Sequence, residues 1–264
     1  MSPNLSLYLA LALYACGTLV ALASLFAREL RLQHLGLGLM IVGFAAHTFW
    51  IGTICVRTHH PPLTNLPEAA AFISWTVFLV ELILFIRYRV HAAAFFVYPL
   101  VLILLTISAV VSEPFASGDP ALRSRLFTAH ILLTTIGVAA LLISLAFNLM
   151  AYLQDRSLRE KTRGRLWEWI PSLNVCKTVS YRALAIGFSI YTGGLLAGVL
   201  WSYRTNAGLL DFRTKQIGAV VAWVLFATLL QSYLSGAYRA RRTILISAGA
   251  FVAIIVAMLG IHHV

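Results

Sequence analysis

The sequence predicts an all-α polytopic membrane protein, a bundle of about eight transmembrane helices, and three observations carry this. The composition is 60% hydrophobic and only 11% charged, with a mean hydropathy of +0.87, which describes a chain that folds in lipid. The apolar residues fall in eight long runs, each near the ~20 residues that a spanning helix needs. Lipid satisfies no backbone polar groups, and continuous runs of this length satisfy their own within helices rather than in a barrel. The runs nearly exhaust the 264 residues. A single transmembrane domain over 1–264 is therefore expected, with no soluble domain.

In order along the chain, the first run covers 4–27. Its start, "MSPNLSLYLALALYACGT", has no basic n-region, and the apolar sequence continues past Cys16 to Phe26. It reads as a first helix, not a cleaved signal. The second run, 33–56, carries His47 in "VGFAAHTFWIG". At 1.5 Å per residue, counted back from Cys55, that histidine lies about 12 Å below the outer end of its helix. The third, 69–86, follows the polar stretch "HHPPLTNLPEAAAFISW". Pro61, Pro62 and Pro67 forbid continuous helix through it. Asn65 can cap the third span, with Glu68 three residues later in the spacing of a capping box. Glu81, further along that span, is expected to pair with Arg87 or to snorkel.

The fourth run, 92–111, leads into "SEPFASGDPALRS", which has turn chemistry and no evident ligand set. The fifth, 126–153, places His130 about one turn inside its outer end. A charged connector from Gln154 to Ser180 follows, and its "LWEWIP" reads as an interfacial helix with Trp167 and Trp169 at headgroup level. The sixth, seventh and eighth runs cover 181–203, 215–236 and 243–262, and the last closes on His262 and His263. There is no glycine-rich phosphate loop, and no internal repeat clear enough to suggest inverted transporter halves.

The net charge of +11 does not indicate nucleic acid, because the basic residues sit in short loops without a face of interleaved aromatics. They report topology. On alternate sides of the membrane, one set comprises Arg28, Arg31, Arg87, Arg89, the seven from Arg156 to Arg182, Arg239, Arg241 and Arg242. The other comprises only Arg57, Arg123, Arg125, Arg204, Arg213 and Lys215. The positive-inside rule then places both termini on the extracytoplasmic side. Cys16, Cys55 and Cys176 form no CxxC, which argues against disulfide exchange and a zinc knuckle.

Histidine placement is the informative chemical signal. His34 and His91 lie at cytoplasmic helix ends beside arginines, where snorkelling or capping explains them. His59, His60, His130, His262 and His263 share the outer face. An imidazole at the depth of His47 is expected to face the bundle interior, toward Gln231 or another polar side chain. Two neutral imidazoles on different helices, His130 with His262 or His263, suit axial ligation of a haem iron, with nearby aromatic rings against the porphyrin. Zinc also accepts imidazole. A catalytic zinc usually takes a third ligand, and the outer carboxylates Glu68, Glu113, Asp119 and Asp211 show no HExxH-like spacing.

The run of Pro62, Leu63, Asn65, Glu68 and Trp75 resembles the "P-L-S-N-x-x-E-(x)n-W" approach to a membrane helix in the cytochrome c assembly membrane proteins (CcsA/CcmC/HemX-like). In that superfamily an outer histidine opens a later span, a tryptophan-rich loop follows, and a second outer histidine comes last. His130, the loop from Trp201 to Lys215, and His262 occur here in that order. The resemblance implies haem handling for cytochrome c maturation at the outer face of a bacterial cytoplasmic membrane. The cofactor would be a non-covalent, b-type haem, held by His130, His262 or His263 with Trp201 nearby and His47 deeper.

Two departures qualify it. The loop reads "WSYRTNAGLLDFRTKQ", and anchoring on Lys215 and Trp223 puts Phe212 where the family has tryptophan and Arg213 where it has aspartate. The same anchoring puts Gln231 where the family has a histidine within the membrane. These changes pull the resemblance toward the HemX-like branch. Two functions therefore stay open: a haem-binding assembly protein, whose work is binding or delivery rather than turnover, and a regulatory or scaffold membrane protein of haem biosynthesis that has lost the cofactor. The expected partners are membrane lipid, haem, and either another cytochrome c assembly subunit or a haem-biosynthesis enzyme, with no nucleic acid.

Overall fold

The computed structural model describes residues 3–58, 65–88, 90–111, 124–161, 169–204 and 214–259. Among these the protein is helical without strands: α1 Pro3–Ala27, α2 Leu30–Thr58, α3 Leu66–Tyr88, α4 Ala93–Val110, α5 Arg125–Glu160, α6 Leu173–Arg204, α7 Thr214–Leu234 and α8 Ala240–Leu259. All eight are long and apolar enough to cross a membrane, so the expected fold class holds.

Local chemistry sets several boundaries. The α3 start is the capping box expected from sequence: the Glu68 amide donates to Asn65 Oδ1 at 2.9 Å, and Asn65 Nδ2 reaches back to Glu68 Oε1 at 3.4 Å. α1 and α5 end where Arg28 and Lys161 take left-handed backbone, with φ 56° and 52°. The connector after the fifth span is shorter than expected. α5 continues to Glu160 because Arg156–Glu160 and Arg159–Asp155 pairs, each one turn apart, support a helix beyond the apolar run. α6 begins at Leu173, several residues before its apolar run.

The chain divides into two compact units, Met1–Leu122 with Lys161–Pro171, and Arg123–Glu160 with Ser172–Val264. In the first, α1 packs on α2 and α4, and α3 on α4 and α2. In the second, α5 packs on α6 and α8, and α7 on α8 and α6. The pairing scheme is the same in both, and so is a side-chain clamp. In unit 1, Trp75 Nε1 donates to Thr48 Oγ1 at 2.8 Å while its ring stacks on Phe44 at 5.3 Å. In unit 2, Trp223 Nε1 donates to Thr192 Oγ1 at 3.0 Å, with its ring against Phe188 at 5.5 Å. The underlying strings are "GFAAHT" and "GFSIYT", followed by "WTVF" and "WVLF". The sequence does carry an internal repeat; its few shared letters are dispersed among interchangeable apolar residues.

Unit 2 is seamed along α5 and α6 by small residues. A Cβ on Gly137 would stand 2.7 Å from the Tyr191 amide nitrogen, and one on Gly194 would stand 2.7 Å from that of Thr134. Such contact distances leave no room for a side chain at either position. Toward the other end of the seam, Ser144 and Ser180 exchange hydroxyl-to-carbonyl bonds at 3.0 Å. The Tyr233 hydroxyl donates to the buried Asn148 Oδ1 at 2.6 Å, which ties α7 to α5. Gly137→Leu should therefore force the seam open and cost about 1–3 kcal/mol, read as a lower thermal midpoint in detergent. Gly38→Leu, where nothing lies within 4 Å, should leave the midpoint unchanged.

Candidate functional site

The α5–α6 seam runs antiparallel, so the start of α5 meets the end of α6. Phe127, His130, Thr134 and Gly137 share one face of α5, stepped by three, four and three residues. Tyr191, Gly194, Gly198 and Trp201 repeat those steps on α6. His130 faces α6, where its Nδ1 lies 2.7 Å from the Gly194 carbonyl oxygen. A carbonyl only accepts. Nδ1 therefore carries the proton, and in the neutral ring the lone pair sits on Nε2. This is the arrangement that orients ligating histidines, in which a hydrogen bond through one nitrogen aims the other.

Gly198 makes room for that ring, because a Cβ there would stand 2.6 Å from His130 Nδ1 and 2.7 Å from Cε1. One turn nearer the helix ends, Phe127 and the half-buried Trp201 pack with ring centroids 5.0 Å apart. A half-buried imidazole with a fixed donor side and an aromatic pair one turn away has the chemistry that would supply a nitrogen ligand to a haem iron. The expected second ligand, His262 or His263, follows α8 in the sequence, and α8 packs against α5. His262 and His263 themselves lie outside the described residues, as do Phe212, Arg213, His59, His60 and Trp167.

The other candidates resolve differently. His47 is fully buried on α2, with its Nδ1 3.5 Å from the Tyr14 hydroxyl of α1. Its Nε2 and the Trp50 indole nitrogen have no hydrogen-bond partner among the described residues. Tyr14 is thus the polar neighbour found for His47, and Gln231 is exposed on α7. Glu81 is 1% exposed. Its carboxyl is buried within the bundle rather than reaching out to the membrane surface, and Oε2 is left without a partner among the described residues. His34 and His91 pack edge to face at 5.9 Å, and Gln33 Nε2 donates to the His91 carbonyl at 2.8 Å. Among the described residues no three His, Cys, Asp or Glu side chains converge as a metal site.

Sequence reading singles out His130 and Trp201 but not Phe127, Gly194 or Gly198. The available signal was the small-x-x-x-small spacing in "GGLLAG", which marks close helix contact in membranes.

A family model described as cytochrome C assembly protein matches residues 63–264. The match takes in α3 to α8, with His130, and leaves out α2 with His47. Similar proteins include the cytochrome c biogenesis protein CcsA of Gloeobacter violaceus, 24% identical over 304 aligned positions that cover 95% of this chain and 90% of that protein. CcsA of Prochlorococcus marinus is 26% identical over 226 positions, covering 77% of this chain and 73% of its own. CcsA of Mesostigma viride is 23% identical over 232 positions, covering 78% and 75%.

The geometry fixes an observable tautomer. Nitrogen-15 shifts of His130 in detergent should show a protonated Nδ1 and a bare Nε2. Gly198→Ala should remove that pattern by pushing the ring off Gly194; an unaltered pattern in this variant would dissociate the tautomer from the glycine cradle.

Proposed function

The chain belongs to the cytochrome c assembly protein family, and we propose that it handles haem at the membrane face where α5 begins and α6 ends. The observation that carries this is the bond from His130 Nδ1 to the Gly194 carbonyl at 2.7 Å. It holds the imidazole in the one tautomer whose Nε2 can ligate iron. When bound, the haem supplies an iron centre that takes nitrogen ligands, and a porphyrin face that favours aromatic contact. His130 presents the lone pair, Gly198 leaves space for its ring, and Phe127 with Trp201 shields the site on the side nearest the helix ends.

His262 or His263 is the proposed second ligand, supported by the packing of α8 on α5. Arg213 is proposed to pair with a haem propionate, since its planar fork matches a carboxylate. The haem is non-covalent and the work is binding or delivery. The basic-residue bias supports the extracytoplasmic side for this face, and the family resemblance supports a bacterial cytoplasmic membrane. Phe212, Arg213 and Gln231, at positions where the resemblance expects other residues, support a place in the HemX-like branch and a weakened site. A partner assembly subunit or haem-biosynthesis enzyme completes the proposal. His47 is given no ligand role here, because its ring is fully buried with Nδ1 against the Tyr14 hydroxyl.

Reconstitution of the purified protein with haem tests the reading. The parent should give a low-spin, bis-histidine spectrum, His130→Ala should abolish it, and Arg213→Ala should weaken binding by about tenfold, the scale of one charge-assisted bond. Undiminished binding in His130→Ala would remove this residue from the site. Absence of binding in the parent would favour the cofactor-free regulatory reading.

A further inference from the structure

At the opposite end of unit 2 from His130, the last turns of α5, the first turns of α6 and the start of α8 border an open cavity of about 700 Å³. That volume is within the ~300–1,000 Å³ range of small-molecule sites. Its walls carry five cationic side chains and two carboxylates. Both carboxylates are already engaged: Arg156 Nε bonds Glu160 at 2.8 Å, and Arg159 Nε bonds Asp155 at 3.1 Å. Lys177, Arg239 and Arg241 are left, and none of them forms an ion pair among the described residues. The Lys177 ammonium instead sits 4.7 Å over the Tyr238 ring, and burial pushes the Tyr238 hydroxyl well above its ordinary pKa. That phenol stays neutral and adds no competing negative charge.

The positive-inside rule accounts for basic residues on a membrane face, but not for three of them, from the start of α6 and the start of α8, converging on one cavity without ion-pair partners among the described residues. The Thr243 amide bonds to the Arg239 carbonyl at 2.9 Å, which makes Arg239 the cap residue of α8. The amides of Ala240, Arg241 and Arg242 therefore begin that helix without helical acceptors on the same side as the cations. We propose that this cavity binds the phosphate of an anionic phospholipid headgroup. Three features select a lipid. The walls are the ends of spanning helices and so lie at headgroup depth. Tyrosines, which favour that depth, line the cavity together with the cations. Arginine forks and a lysine ammonium are the residues that grip phosphate. The site is separate from the one proposed for haem and does not depend on it.

Native mass spectrometry of the full chain in detergent, titrated with phosphatidylglycerol or phosphatidylcholine vesicle lipid, tests this. The parent should retain phosphatidylglycerol about tenfold better than phosphatidylcholine. The triple change Lys177→Gln, Arg239→Gln, Arg241→Gln should reduce retention to the phosphatidylcholine level. The charge-conserving Lys177→Arg, Arg239→Lys, Arg241→Lys set should keep most of it, and Arg28→Gln with Arg31→Gln, in unit 1, should keep all of it. Equal retention by the neutral triple variant and the parent would overturn the proposal. So would displacement of the lipid by millimolar inorganic phosphate, which would make free phosphate the ligand. A loss of haem affinity in the triple variant with lipid retention intact would overturn it in favour of haem carboxylates. The low-spin haem spectrum of the triple variant should match the parent, so failure of either proposal leaves the other standing.

Discussion

Helices in lipid gain nothing by hiding apolar surface from one another, because the tails around them are equally apolar. Their association rests on close packing and on hydrogen bonds between them. The α5–α6 seam meets that constraint with glycines that bring the backbones together and with serines that bond across the gap. Placement of His130 is a consequence of the same closeness. Only because Gly194 and Gly198 carry no side chain can an imidazole on α5 reach a carbonyl on α6. Packing and chemistry here use the same residues, so the ring orientation is fixed by the fold and needs no additional polar scaffold.

The duplicated Phe-Thr-Trp clamp shows the same economy at a second level. In each unit a threonine one turn from a phenylalanine accepts the indole N–H of a tryptophan on the next helix. The indole is thereby satisfied without water, which the hydrocarbon region cannot supply. Around this shared frame the units differ where chemistry differs. The position that holds the buried His47 in "GFAAHT" holds Tyr191 in "GFSIYT", and Tyr191 stacks edge to face on Phe226 at 6.4 Å. The family match begins at residue 63. The helix that bears His47 thus lies, with α1, outside the part of the chain that the family's own pattern describes.

Span number and the α3 cap are legible in the sequence because each rests on local rules: run length against bilayer thickness, and a side chain three residues from the amide it bonds. His130 is legible by its depth and position. Several features are not. The extensions of α5 and α6 depend on ion pairs and amphipathic turns beyond the apolar runs, which hydropathy alone does not score. The partner of His47 depends on how α2 rotates against α1, and Tyr14 is indistinguishable by sequence from any other aromatic residue of a span. Glu81 reads as a residue that would reach an arginine one or two turns away, but its carboxyl is buried within the bundle. The basic cavity escapes notice because its residues come from the ends of three helices, with the start of α8 far along the chain from the other two, and each charge alone is an ordinary one for a helix end.

The segment Lys161–Pro171 clusters with unit 1 although it lies between α5 and α6 in the sequence. Trp169 in that segment packs edge-on against Phe95 of α4, with centroids 5.9 Å apart, and Ile170 is 5% exposed. The order of synthesis gives this arrangement a temporal meaning. When the ribosome has finished α4, the first four-helix unit still lacks a strap that covers Phe95, and α5 must be translated before that strap exists. Until then Phe95 has no Trp169 to cover it, so completion of the first half waits on delivery of the first helix of the second. Assembly of the two halves is thereby coupled in time, even though the helix contacts within each are made separately.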